Sequence, residues 1–161
     1  MFGSLLRGAV AGAAGTTAIN AATYLDMAVR ARPPSSTPEK AVDELAQRSG
    51  HPVPGEGEEH EHRLAGLGPL AGIGVGIGVG MAAGLFRPLL ARLPAAIGAI
   101  AVGGAAMAAS DAPLTALGLT DPKSWSGTDW LADVLPHLVY GAVTVGVLRR
   151  WSPPKRSAVQ G

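Results

Sequence analysis

Charged side chains are distributed unevenly along the chain, and the gaps between them mark out its elements. Leu64 to Phe86, LAGLGPLAGIGVGIGVGMAAGLF, runs for 23 residues without a charge. A helix of that length reaches roughly 34 Å, enough to cross a hydrocarbon layer of about 30 Å. Leu93 to Ser110 is a second uncharged run, shorter and rich in alanine. Leu131 to Leu148 is a third, interrupted by Asp133 and His137. Gly8 to Leu25 is a fourth, in which glycine, threonine and asparagine dilute the apolar character. In a water-soluble helical bundle each helix keeps a polar stripe toward solvent. Residues 64–86 have none, so the pattern predicts insertion into a membrane.

The expected fold is all-α: a polytopic integral membrane protein with a bundle of four transmembrane helices, near 8–29, 64–86, 93–110 and 131–150, and one short amphipathic loop helix. An N-terminal segment and first helix occupy 1–30. A polar loop occupies 31–63. Thr37-Pro38-Glu39 within it has the signature of a helix start, with a hydroxyl cap, proline in the first turn and an early acid. Ala41, Val42, Leu45 and Ala46 line one side of the helix that follows, at about 38–49, and Gly50 and Pro52 end it. Residues 64–110 form a transmembrane hairpin around Arg87, Pro88 and Arg92. Residues 111–130 form a loop, and 151–161 a basic, disordered tail. Cleavage of the first run as a signal peptide is disfavoured, because GAVAGAAG lacks the leucines of a typical apolar core.

Trp130 and Trp151 bracket the last run, 21 residues apart. That is roughly 31 Å along a helix and matches the separation of the two interfaces where tryptophan collects. Four crossings put both termini on one side. Basic residues divide seven on the terminal side against six on the other. The compact Arg87/Arg92 connection and the basic tail favour cytoplasmic termini in a bacterial inner membrane. The near-neutral charge of +1 gives no electrostatic footprint for nucleic acid. The absence of cysteine removes disulfides, thiolate zinc sites and cysteine nucleophiles.

Glycine follows a second pattern. Gly68, Gly72, Gly76 and Gly80 recur every fourth residue, with Gly74 and Gly78 about 160° around the helix. Gly8, Gly12 and Thr16 repeat the spacing in the first run, and Ala95, Ala99 and Gly103 in the third. Small residues at this interval let helix backbones approach closely in lipid. Two smooth faces predict that the 64–86 helix sits between neighbours in the same subunit or in a second one. The loose dinucleotide form Gly78-Val79-Gly80-Met81-Ala82-Ala83 lacks the acid expected about 20 residues later and is set aside.

Polar groups within the apolar runs are the candidate functional residues. Asp133, His137, Tyr140 and Thr144 fall within about 60° of arc on one helix. Asn20 shares a face with Thr16 and Thr23 in the first run, and Asp111 closes the third. Such groups are costly in lipid and should face the bundle interior, either as hydrogen-bonded glue or as the lining of a proton or small-solute path. The segment Glu56-Gly57-Glu58-Glu59-His60-Glu61-His62-Arg63 mixes carboxylates with imidazoles, and Glu58, His60 and His62 are candidate metal ligands. Their spacing departs from the two histidines at i,i+4 of a metal-binding helix, which favours a solvated acidic linker. No catalytic residues and no cofactor are implied.

The opening Gly8-Ala9-Val10-Ala11-Gly12 helix with Thr16 and Thr17, the turn Arg32-Pro33-Pro34, the short Thr37-Pro38-Glu39-Lys40 helix and the stretch Pro136-His137-Leu138-Val139-Tyr140-Gly141 together resemble the YagU-like family of small bacterial inner-membrane proteins. The resemblance implies a polytopic inner-membrane protein without an established biochemical activity. The expected function is therefore that of a non-enzymatic structural or accessory membrane component. Its partners would be the lipid bilayer and either copies of itself or a larger membrane complex. A proton or solute conduit and a metal-responsive protein are the alternatives.

Overall fold

The computed structural model describes residues 1–151. The chain is helical along most of that length, in the order α1 (Phe2–Arg30), α2 (Thr37–Arg48), α3 (Gly57–Leu85), α4 (Arg87–Leu90), α5 (Ala95–Ala116), a 3-10 turn (Pro122–Ser124) and α6 (Gly127–Arg150). There is no strand among the described residues. The tail expected to be disordered lies, beyond Trp151, outside them.

Four long helices run alternately up and down. α1 lies between α3 and α6, α5 packs against the far side of α6, and α3 touches α5 more lightly. Residues 64–86 and 93–110 are thus neighbours in sequence whose main partners lie elsewhere, α1 for one and α6 for the other. Three helices, α3, α5 and α6, are long and apolar enough to cross a membrane. α1 has 29 residues, ample in length, but its Gly, Thr and Asn content leaves it outside that set.

Several boundaries differ from the sequence reading for local physical reasons. The acidic linker is not a loop, because α3 begins at Gly57 and includes the His/Glu segment. Glu58 and Glu59 occupy its first turn, where carboxylates favour the partial positive charge of a helix N-terminus. Arg63 pairs with Glu59 one turn away. α5 continues past Ser110 to Ala116, carrying Asp111 into the helix. Pro113 falls in its last turn, where its missing N–H leaves the Ala109 carbonyl without the usual helical donor. α6 starts at Gly127 rather than at 131, capped by Ser126 and Asp129 in a reciprocal capping box.

The helices approach through glycine. A Cβ on Gly12 would lie 2.6 Å from the Gly76 carbonyl oxygen and 2.9 Å from the Gly80 Cα. One on Gly84 would lie 2.8 Å from the Gly8 Cα. These distances leave no room for a side chain, so α1 and α3 meet backbone to backbone from Gly8/Gly84 to Thr16/Gly76. The α5–α6 contact is built in the same way. A Cβ on Gly103 would lie 2.6 Å from the His137 carbonyl oxygen, and one on Gly141 2.6 Å from the Gly103 nitrogen.

Two expected packing positions behave differently. Gly72 has open space where its Cβ would be. Gly68 is covered by the start of α2, with Glu39 N 3.0 Å from the Cβ position, and not by a transmembrane neighbour. The α1–α3 contact ends at Thr16/Gly76, and the helices separate below it. The loop helix docks on α3 in that lower region. Its Leu45, expected on the packed side, stays 52% exposed. At the same end Asp26 pairs with Arg30 and Arg32, each at 2.6 Å. At the opposite end Arg149 donates to the carbonyls of Leu90 (3.2 Å) and Leu93 (2.6 Å), tying the α3–α5 connection to the foot of α6.

Candidate functional site

The polar stripe of α6 divides into two halves with different surroundings. The half toward the C-terminus faces α1 and α3. Tyr140 is 1% exposed, and its hydroxyl donates to the Gly76 carbonyl at 2.6 Å. Thr144 is 0% exposed, and its hydroxyl donates to the Ala11 carbonyl at 3.4 Å. Both reach across to another helix, and both reach backbone left uncovered by small residues. Gly15 provides the room, since a Cβ there would lie 2.7 Å from the Tyr140 ring. Interhelical hydrogen bonds of this kind contribute about 0.6 kcal/mol each on average, and up to about 1.7. These two hydroxyls tie α6 to α3 and to α1.

The other half faces α5. The His137 ring places Nδ1 2.8 Å from the Asp133 carbonyl oxygen and Nε2 3.3 Å from the Ser110 hydroxyl. The Ser110 hydroxyl lies 2.9 Å from the Met107 carbonyl, 3.3 Å from the Ala106 carbonyl and 3.3 Å from Asp111 Oδ1. Asp133 Oδ1 is 3.5 Å from His137 Nδ1. Asp133 Oδ2 and Asp111 Oδ2 are each shut off from solvent and have no donor among the described residues.

The Ser110 hydroxyl can act as donor or acceptor toward His137. With His137 neutral and Nδ1 donating to the Asp133 carbonyl, Nε2 accepts from the Ser110 hydroxyl. With His137 protonated, Nε2 donates, and the hydroxyl rotates to the Met107 carbonyl. Rotation of one hydroxyl thus accommodates either state. Asp133, His137 and Ser110 form one polar cluster between α5 and α6, with Asp111 beside Ser110.

Asn20 does not join this site. It is exposed, on the stretch of α1 beyond the point where α1 leaves α3. Ser110 was not among the sequence candidates. Its signal is position, since it precedes Asp111 and ends the uncharged run. The metal candidates also separate. His60 turns toward α2, with Nε2 3.3 Å from Asp43 Oδ1 and Nδ1 3.2 Å from the Val53 carbonyl, while Glu58 and His62 are exposed. No group of three His, Asp or Glu among the described residues comes together as a metal set.

Beside Asp111 an open groove of about 550 Å³ runs between the end of α5 and the loop that leads to α6. Met107, Thr115, Pro122, Trp125 and Trp130 line it with Asp111. The two indoles meet edge to face, with centroids 5.0 Å apart, and Trp125 Nε1 donates to the Thr120 hydroxyl at 3.0 Å. No family model, curated protein or solved structure matches this chain.

Proposed function

We propose that this chain is a small non-enzymatic integral membrane protein whose four long helices are all embedded in the bilayer, and that it serves as a structural or accessory component of a bacterial inner membrane. The observation that carries this reading is the backbone-to-backbone contact of α1 with α3 through Gly8, Gly12, Gly76, Gly80 and Gly84. Such contacts suit association in lipid, where apolar burial provides little drive. The same contact supports α1 as a fourth membrane-embedded helix, because it sits between two helices that are apolar enough to span. Gly74 and Gly78 remain open on α3, a second smooth surface for another copy or a larger complex. The resemblance to the YagU-like family points the same way. Cytoplasmic termini remain part of the proposal, through the Arg87, Arg92, Arg149 and Arg150 cluster at that end.

The test is the native mass of the full chain, extracted with its surrounding lipid. A discrete assembly larger than one chain is expected. A monomer at every lipid content contradicts the reading.

A second reading is favoured by the Asp111–Asp133–His137 cluster: a proton conduit with Ser110 in place of Tyr140 and Asn20. Proteoliposomes holding a pH gradient separate the two. The structural reading expects the gradient to persist as in protein-free vesicles. A leak removed by Asp133→Asn would establish the conduit.

A further inference from the structure

The end of the bundle where α1 and α5 begin and α3 and α6 finish is cationic throughout. Arg7, Arg87, Arg92, Arg149 and Arg150 lie there. All 12 acidic residues fall between Asp26 and Glu61 or between Asp111 and Asp133, and the helix order carries every one toward the opposite end. Two of the arginines, Arg87 and Arg149, line one shallow cleft between α4 and the last turns of α6, with Leu90, Ala91, Val145 and Leu148. Each guanidinium is held from one side. Arg87 Nη2 donates to the Trp151 carbonyl at 3.1 Å, and Arg149 Nη2 donates to those of Leu90 and Leu93. Both Nε atoms are shut off from solvent, so no outside ligand reaches them. Nη1 of each is the donor that remains, and it has no acceptor among the described residues. The carbonyls fix the direction of the two heads but carry only partial charge. No carboxylate stands at this end among the described residues to balance two full positive charges.

We infer that the Arg87/Arg149 cleft binds the phosphodiester of an anionic phospholipid. Arginine pairs suit phosphate oxygens in geometry and charge, and basic pockets between membrane helices suit acidic headgroups. The walls favour a lipid over free phosphate. A hydrated anion would shed water against leucine and valine, whereas a phospholipid brings its own apolar chains. Leu89, 57% exposed, and Trp151, 43% exposed, adjoin the lining residues in the chain, and tryptophan marks the membrane–water boundary. A zwitterionic headgroup would add an ammonium that no carboxylate meets there. The inference rests on the membrane-embedded reading above and adds a ligand and a site to it.

The experiment follows the thermal midpoint of the full chain in neutral detergent by helical circular dichroism. Phosphatidylglycerol, phosphatidylcholine and inorganic phosphate are added separately, the last against chloride at equal ionic strength. Phosphatidylglycerol is expected to raise the midpoint saturably by about 4 °C, phosphatidylcholine by less than half as much, and phosphate not at all. The readout is the shift each ligand produces, so a variant that starts less stable is compared with itself. Arg87→Gln and Arg149→Gln are each expected to remove more than half of the phosphatidylglycerol shift. Arg150→Gln, which deletes the same charge from an exposed position at the same end, should leave it intact. Equal shifts from the two lipids overturn the proposal. So does an equal loss in Arg150→Gln, which would mean diffuse charge, and so does a phosphate shift matching that of the lipid, which would mean a free-anion site. Should Arg149→Gln fail to fold, Arg87→Gln decides, and an undiminished shift in that variant overturns the cleft. A chain that stays folded and monodisperse without detergent overturns the embedded reading and the lipid site together, whereas a failed titration on a chain that needs detergent removes the lipid site alone.

Discussion

Gly12→Leu is expected to destabilise the folded protein by about 3 kcal/mol, the upper end of the cost of overpacking a close contact. The Cβ alone would lie 2.6 Å from one backbone atom of α3 and 2.9 Å from another. The atoms in the way are main chain and cannot rotate aside as a side chain would. α1 must therefore lift away from α3. The Tyr140–Gly76 and Thr144–Ala11 hydrogen bonds, which cross the same region, are strained with it. Gly66→Leu is the matched control, placed on α3 with nothing within 4 Å of its Cβ position. Denaturant-induced unfolding in detergent, followed by helical circular dichroism, measures both variants. A midpoint for Gly12→Leu equal to that of Gly66→Leu would refute the described contact.

The second large effect is expected at the α5–α6 contact. A Cβ on Gly141 would lie 2.6 Å from the Gly103 nitrogen and 3.0 Å from its Cα. Gly141→Leu should cost about 3 kcal/mol by the same mechanism, while Gly146→Leu, with open space around it, should be nearly neutral. Gly141→Leu has a further consequence that Gly12→Leu lacks. The Gly103 side of the contact lies against His137 and Leu138, so parting the helices there also separates Ser110 from His137. Exchange of the His137 ring protons with solvent, read by NMR, should accelerate in this variant. Unchanged exchange together with unchanged stability would contradict the packing described.

The lipid-suited character of the chain was legible in its charge gaps. Residues 64–86 fall within α3, and Trp130 and Trp151 do stand at the two ends of the last apolar stretch. The spacing-four glycine pattern includes Gly8, Gly12, Gly76 and Gly80, which lie where α1 and α3 approach. It could not show how far the contact extends. That depends on where two helices diverge, which is set by their crossing and not by either sequence alone. Gly72 lies past that point, and so does Asn20. Of the stripe Asp133–His137–Tyr140–Thr144, the last two are buried and the first two half-buried. Periodicity gives a direction on one helix but no identity for the neighbour. It therefore could not separate the half that meets α1 and α3 from the half that meets α5. The extent of α3 and α5 is less legible, because the charges at Gly57–Arg63 and Asp111 suggest a loop, whereas acids in a first turn and a Glu59–Arg63 pair favour helix.

The position of α1 tests the account most directly, because the embedded four-helix bundle stands or falls with it. The chain has no cysteine, so single cysteines can be introduced without background. One at Ser4, near the start of α1, and one at Ser35, just past its end, can be probed in intact cells with a membrane-impermeant maleimide. The account predicts labelling of one position and protection of the other until the membrane is opened. Equal labelling of both from the same side would mean that α1 does not cross, and would contradict the bundle as a four-span membrane structure.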